Sequence, residues 1–363
     1  MTLATAIDHK QVVVCAGAGG VGKTTCAAAI GLAAADRGRR VLVMTIDPAR
    51  RLAGALGVPD TGDEPRRVEV ETAGELHALM LDAKRTFDRL ISTHAPTPER
   101  AERILDNRIY RHVSVAVTGS QEYMAMERLW ELHDDGGWDL IVLDTPPARN
   151  ALDFLEAPGR VMRFIDGRAL RMLLRPGLRG LRALGSGTQM AMRAMERMTG
   201  IGLLDDVAEF LAAFDGMYDG FRDRAEQVAA LLASDRATFM LVTSPEPEPI
   251  GEAEAFWQSL MAHGMPFGGA ILNKVQPRHL EGGRRGLRSR ATAQLTEAGL
   301  ADPVARRAAQ NLDELQMLAT RDAAATAHLR RLIAPQPLFE VPRLDHEVDD
   351  LDAVAAVAGH LAG

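Results

Sequence analysis

Short apolar runs bounded by polar turns alternate along the chain with longer segments of helical period. The apolar runs cover Gln11 to Cys15, Val41 to Ile46, Leu76 to Asp82, Trp138 to Asp144, Thr238 to Thr243, Gly268 to Lys274 and Leu338 to Pro342. Several are continuously apolar rather than alternating, which predicts strands buried on both faces. The Ala-rich run Cys26 to Ala35 and the stretches at about 83–94, 98–111, 120–134 and 203–233 read as helices, with Pro96 and Pro98 separating the second and third of these. Residues 279–331 are charged and helical, a solvated covering layer. Residues 60–75 are polar and read as a surface connection. The prolines at 245, 247 and 249 predict a stiff loop that presents Glu246 and Glu248. The expected architecture is one α/β domain over residues 1–363, with a helical subdomain built from about 83–135 and 155–233.

Composition narrows the classes. The 363 residues, 47% hydrophobic, can bury one large core. A formal net charge of -7 argues against a non-specific duplex-DNA binder, so no nucleic-acid partner is expected. The only cysteines, Cys15 and Cys26, cannot supply a disulfide framework, a zinc site or an iron–sulfur cluster within the chain. The first ten residues carry Asp8 and lack the apolar core of a signal peptide. The apolar runs Val12 to Gly22 and Cys26 to Ala35 are each about half of the roughly 20 residues that span a bilayer. A cytoplasmic location is expected.

Candidate chemistry concentrates where strands end. Gly17-Ala18-Gly19-Gly20-Val21-Gly22-Lys23-Thr24-Thr25 lies between the first strand and the first helix and satisfies G-x4-G-K-[ST] in full. Glycines let successive N–H groups face a phosphate, and the helix start adds its positive dipole end. Lys23 supplies charge to the β- and γ-phosphates and Thr24 a magnesium-binding hydroxyl. The motif predicts a P-loop nucleotide site formed by Gly17, Gly19, Gly20, Val21, Gly22, Lys23, Thr24 and Thr25. The second strand delivers Asp47-Pro48-Ala49-Arg50-Arg51 to its carboxyl end, where α/β sheets place ligands. Asp47 there can activate a water for attack on the γ-phosphate, or contact Mg2+ through water. Asp followed by Pro is also a good helix opening, so a capping role stands beside catalysis.

The run ending in Asp144-Thr145-Pro146-Pro147 describes a buried strand whose terminal carboxylate reaches the metal region, with a turn that could sense the γ-phosphate. Asn273 ends another strand, and its amide can pair with an adenine edge. Pro342 leaves the last strand in a position to pack on the base. His94 and His112 lack metal-like spacing. Six of the 16 methionines fall within residues 162–198, and Met192, Met195 and Met198 share one helical arc. That stripe reads either as core or as a pliable apolar surface for hydrophobic clients.

The P-loop Gly-x-Gly-Gly-Val-Gly-Lys-Thr-Thr, Asp47-Pro48-Ala49, Asp144-Thr145-Pro146-Pro147, Asn273 and Val341-Pro342, in this order, resemble the ArsA family of ATPases, which includes arsenite-pump ATPases and the guided-entry ATPases that target tail-anchored membrane proteins. The stretch Gln121 to Glu127 is similar to one in actinobacterial ArsA-like proteins. The resemblance implies a P-loop NTPase fold: a mostly parallel sheet flanked by helices, a helical subdomain, and a dimer that encloses nucleotide. It implies ATP and Mg2+ as ligands. Lys23 and Thr24 would hold phosphate and metal, Asp47 would polarise the water, Asp144 would support the metal and Asn273 would read adenine. Glu246 falls where guided-entry ATPases have a glutamate approaching the partner's nucleotide.

Three departures qualify these implications. Ala18 stands where the family has a lysine donated across the dimer. Thiolates for arsenite are absent outside the P-loop region, and so is the cysteine pair that holds zinc between guided-entry subunits. The expected function is a magnesium-dependent ATPase that handles a hydrophobic protein client or membrane-protein partner. Its dimer would be a homodimer, with Arg50 or Arg149 replacing the missing charge in cis, or a heterodimer with a lysine-bearing paralogue. The alternatives are an ATPase subunit energising an anion or metabolite efflux pump and a positioning ATPase of the MinD or ParA kind. The short, nearly neutral carboxyl end, Ala353 to Gly363, disfavours the last.

Overall fold

A computed structural model describes residues 2–47, 51–59, 62–107, 110, 121–146, 218–280, 285–345 and 350–362. The chain divides into two compact units, one comprising Met1–Met80, Trp138–Ala151 and Leu232–Gly363, the other Leu81–Gly137 and Leu152–Leu231.

The first unit is an eight-stranded sheet with helices around it. Its strands are β1 (Val12–Ala16), β2 (Arg40–Thr45), β3 (Arg66–Arg67), β4 (Glu75–Met80), β5 (Leu140–Asp144), β6 (Ala237–Thr243), β7 (Phe267–Val275) and β8 (Leu338–Pro342). Their order across the sheet is β3-β4-β2-β5-β1-β6-β7-β8. Every pairing is parallel except β3 with β4. The continuous apolar runs explain this arrangement. All five residues of β1, all five of β5 and all seven of β6 are buried, as strands covered on both faces must be. Burying a Val, Leu or Ile side chain contributes about 1.5–3 kcal/mol, so each of these strands adds to the stability of this unit.

Register fixes the functional edge. Cys15 of β1 and Thr45 of β2 both pair with Asp144 of β5, so the carboxyl ends of three adjacent strands terminate at one level. The helices of this unit are α1 (Leu3–Ile7), α2 (Lys23–Ala35) and α3 (Arg51–Leu56), and later α8 (Pro247–Ala262), α9 (Leu287–Glu297), α10 (Asp302–Ile333) and α11 (Leu351–Ala362). Ten of the thirteen residues of α2 are buried. Small side chains suit it to that central position, because alanine lets a helix approach its neighbours closely at no rotamer cost.

The second unit is described at α4 (Ala83–His94), α5 (Pro98–Asp106), α6 (Gln121–Asp134) and α7 (Tyr218–Leu232), whose last residue passes into the first unit. Its apolar cluster includes Phe87, Ile91, Ile104, Tyr110, Tyr123 and Met124. Asp82 and Thr97 accept hydrogen bonds from Arg85 N and Arg100 N and cap α4 and α5. Of the expected proline break, Pro96 lies between the two helices and Pro98 is the first residue of α5. No helix among the described residues is long and apolar enough to cross a membrane.

Two expectations are corrected here. The proline-bearing stretch at 244–249 is not a loop throughout: α8 begins at Pro247, with Glu246 at its N-cap. First-turn N–H groups have no intrahelical acceptor, so prolines there cost the helix nothing. The connection at 60–75 contains the two-residue edge strand β3, paired antiparallel to β4.

Candidate functional site

The P-loop curves from β1 into α2 through conformations that side chains resist. At Gly17 a Cβ would lie 1.9 Å from the Val242 carbonyl oxygen. Gly22, the N-cap of α2, has φ 93°, and a Cβ there would lie 2.3 Å from Asn273 Nδ2. The turn therefore needs glycine for close approach as much as for dihedral freedom.

Over this turn lies a cavity of about 320 Å3, lined by Gly19, Gly20, Gly22, Lys23, Thr24, Thr25, Asp47, Arg51, Gly54, Ala55 and Thr145. That volume is at the lower end of small-molecule sites, which run from roughly 300 to 1,000 Å3. Lys23 is 7% exposed, and its Nζ donates to the Ala18 carbonyl at 2.7 Å. Burial pulls its pKa down, and the negative charges of Asp144 and Asp47 work against that pull. Ala18 is itself buried.

Asp144 is 1% exposed. Its Oδ2 accepts from Thr24 Oγ1 at 2.7 Å and from Thr45 Oγ1 at 2.8 Å, while Oδ1 is buried without a hydrogen-bond partner. Burial raises the Asp144 pKa, opposed by the two threonine bonds and by Lys23. A buried carboxylate oxygen left without a partner costs about 1–3 kcal/mol or more, a cost that a bound cation would offset. Among the described residues no group of three acidic, histidine or cysteine side chains could hold a metal. Mg2+ at a phosphate site does not require such a group, because one or two protein ligands suffice beside phosphate and water oxygens. The Thr24 hydroxyl and the Asp144 carboxylate fit that role.

Asp47 lies at the cavity wall, partly exposed, with its N–H donating to Thr45 Oγ1 at 3.1 Å and Arg51 Nη1 3.7 Å from its Oδ2. Thr145 donates from its hydroxyl to the Cys15 carbonyl at 2.9 Å, which anchors the segment after β5 to β1. Cys15 and Cys26 are fully buried; burial lifts Cys15 well above its ordinary range and Cys26 to about 12, so neither forms a thiolate at neutral pH.

The remaining expected residues lie around this centre. Asn273 is buried, donates from Nδ2 to the Val21 carbonyl at 2.8 Å and accepts the Lys274 N–H on Oδ1 at 2.9 Å. Its amide thus rests on the P-loop backbone, and neither Asn273 nor Pro342 is among the described residues lining the cavity. Pro342 ends β8, level with Val275. Glu246 is half-buried, with Oε2 unpartnered. Burial pushes its carboxyl up, but the Ser244 hydrogen bond, its own backbone N–H and the charges of Arg321 and Lys274 outweigh this, and its pKa is lowered. Arg50, Arg149, Met192, Met195 and Met198 lie outside the described residues.

Thr45 and Arg51 belong to the site and were not among the expected residues. Arg51 was visible only as one of two adjacent arginines after Asp47. A threonine closing an otherwise aliphatic strand was the available signal for Thr45, but its partner depends on β2 lying beside β5. Lys274, whose Nζ donates to the Gly20 carbonyl at 2.7 Å, had no sequence signal.

Comparison with known proteins gives the same reading. Residues 10–297 match the family model described as anion-transporting ATPase. A putative arsenical pump-driving ATPase of Aquifex aeolicus is 22% identical over 97% of this chain and 79% of its own length. An uncharacterized protein of Streptomyces coelicolor is 32% identical over 72% of this chain and 61% of its own, and ATPase GET3A of Arabidopsis thaliana is 27% identical over 71% and 65%. The match thus spans less than two thirds of the last two proteins. With a full P-loop, a buried aspartate at the end of the neighbouring strand and a match to the family over most of its length, the chain belongs to the ArsA family of anion-transporting ATPases.

Proposed function

We infer that this ATPase uses ATP hydrolysis to switch between states that hold and release a hydrophobic protein client. The observation that carries the nucleotide half is Asp144, buried with one oxygen bound to Thr24 and Thr45 and the other without a hydrogen-bond partner. Bound Mg2+ would neutralise charge on the β- and γ-phosphates, held by Thr24 and Asp144. The chain's own groups do the rest. Lys23, drawn off the Ala18 carbonyl, places its ammonium on the phosphates, and Asp47 orients the attacking water and accepts its proton. Thr145, tied to β1, stands at the cavity wall. Asn273 keeps one N–H and one lone pair beyond its present bonds, enough to meet an adenine edge.

The client half rests on the methionine-rich segment at 162–198 and on the ATPase GET3A relative. The working unit would be a dimer: either a homodimer in which Arg50 or Arg149 replaces in cis the charge that Ala18 lacks, or a heterodimer in which a lysine-bearing paralogue supplies it in trans. Binding of a fluorescent apolar peptide in the presence of Mg·ATP and of Mg·ADP tests the switch. The expected result is nucleotide-dependent affinity that weakens when Met192, Met195 and Met198 are replaced by Ser while nucleotide affinity stays constant. A triple variant that unfolds would assign the stripe to the core. Native mass spectrometry with Mg·ATP reads the dimer.

A further inference from the structure

Two consecutive peptide units of the P-loop are gripped from behind. The Gly20 carbonyl accepts from Lys274 Nζ at 2.7 Å, and the Val21 carbonyl accepts from Asn273 Nδ2 at 2.8 Å. A trans peptide directs its N–H opposite to its C=O. Holding these two carbonyls therefore fixes the N–H groups of Val21 and Gly22 and points them away from the end of β7. These are the groups a P-loop presents to phosphate, and Gly20 and Gly22 line the cavity. Neither Asn273 nor Lys274 is among the described residues lining it.

The local backbone is shaped for this grip. Between Leu272 and Val275, β7 runs three steps while β8 runs two, from Glu340 to Pro342, so β7 carries one extra residue. Such a bulge re-aims side chains, often beside functional sites. Lys274 occupies the left-handed region, φ 62°, which a residue with a side chain enters only under constraint. The Asn273 side chain accepts the Lys274 N–H at 2.9 Å and holds it there. Gly22 completes the fit, because the Asn273 amide fills the space a Cβ would take.

We propose that Lys274, seated by Asn273, is a positioning residue that orients and polarises the Gly20–Val21 and Val21–Gly22 peptide units for binding a nucleoside triphosphate's phosphates. An ammonium on a carbonyl oxygen strengthens the N–H at the other end of the same peptide, as chains of hydrogen bonds polarise one another. The grip acts on phosphate and is indifferent to the base. It rests on the reading of the cavity as a nucleotide-phosphate site.

The test is calorimetric titration of Mg·ATP, Mg·GTP and Mg·tripolyphosphate, the last a probe with no base, into wild type, Lys274→Met, Lys274→Arg and Lys274→Gly. Lys274→Gly relaxes the left-handed backbone and keeps the comparison usable should Lys274→Met fold poorly. Lys274→Met and Lys274→Gly are expected to weaken ATP and tripolyphosphate alike by about tenfold, the scale at which residues behind a binding shell act. The ATP-to-GTP ratio should stay unchanged, and Lys274→Arg should recover most of the loss. Unchanged tripolyphosphate affinity in Lys274→Met and Lys274→Gly, or a loss confined to ATP, would overturn the proposal while leaving the nucleotide site intact. Wild type that binds none of the three, like a Lys23→Ala control, would remove the nucleotide reading and this proposal together.

Discussion

Asp144 at the end of β5 and Glu127 on α6 are both carboxylates hidden from water, at 1% and 4% exposure, and burial raises the pKa of both. Their partners differ. Glu127 accepts from the Tyr123 hydroxyl on Oε1 and from Arg224 Nε at 2.8 Å on Oε2, so both oxygens are bound and a cation lies against the charge. Asp144 has both its hydrogen bonds on one oxygen and nothing on the other. A fully paired buried charge ties two helices together, α6 and α7, and asks for nothing more. A half-paired one keeps bonding capacity in reserve for a ligand at a cost to the empty protein. On this contrast we propose that Glu127 holds structure and that Asp144 serves a ligand.

The largest expected effect is on turnover. Asp144→Asn removes the charge on the metal side and should lower Mg2+-dependent phosphate release by about 10³-fold, on the order of losing a main electrostatic contributor. Glu127→Gln should keep most of the wild-type rate. Comparable losses in both variants would break the comparison.

Stability should respond in the opposite sense. Glu127→Ala strips Arg224 of its carboxylate and should cost about 3 kcal/mol in urea denaturation, as removal of one partner of a buried pair does. Asp144→Asn should instead make the nucleotide-free protein more stable at pH 7, by about 1 kcal/mol, because it deletes an unmatched buried charge. The sign with pH follows. A carboxyl with a raised pKa in the folded state takes up protons on folding, so wild type gains stability as pH falls through that raised range. The advantage of Asp144→Asn should therefore shrink on acidification. An advantage that grows on acidification would mean that Asp144 is well compensated in the empty site.

Asp47 sharpens the contrast at the smallest scale. If it serves hydrolysis, Asp47→Asn lowers kcat with little change in the KM for ATP or in melting temperature. A fall in melting temperature at constant kcat would assign it to local structure with Arg51 and Thr45.

Much of this was legible in the sequence because it is local. The P-loop spacing, the apolar run ending in Asp144 and the delivery of Asp47 by β2 depend only on neighbours along the chain, and the sheet follows from continuous apolar strands. What was not legible depends on which strands lie side by side. Thr45 meets Asp144 only because β2 pairs with β5. Lys274 reaches Gly20 from the stretch where β7 carries an extra residue against β8. The prolines around 247 read as a loop in sequence, yet in the first helical turn they interrupt nothing. Gln121 to Glu127 was legible as a family resemblance, and the pairing with Arg224, 97 residues further on, is what gives Glu127 its physical role.

Hydrolysis at the P-loop is tested by steady-state phosphate release from ATP by purified protein, measured with Mg2+ and with the metal chelated, for wild type and Lys23→Ala. Wild type is expected to release phosphate only with Mg2+ present, and release should fall to background in Lys23→Ala. Release that persists in Lys23→Ala, or that is indifferent to Mg2+, would contradict hydrolysis at the P-loop.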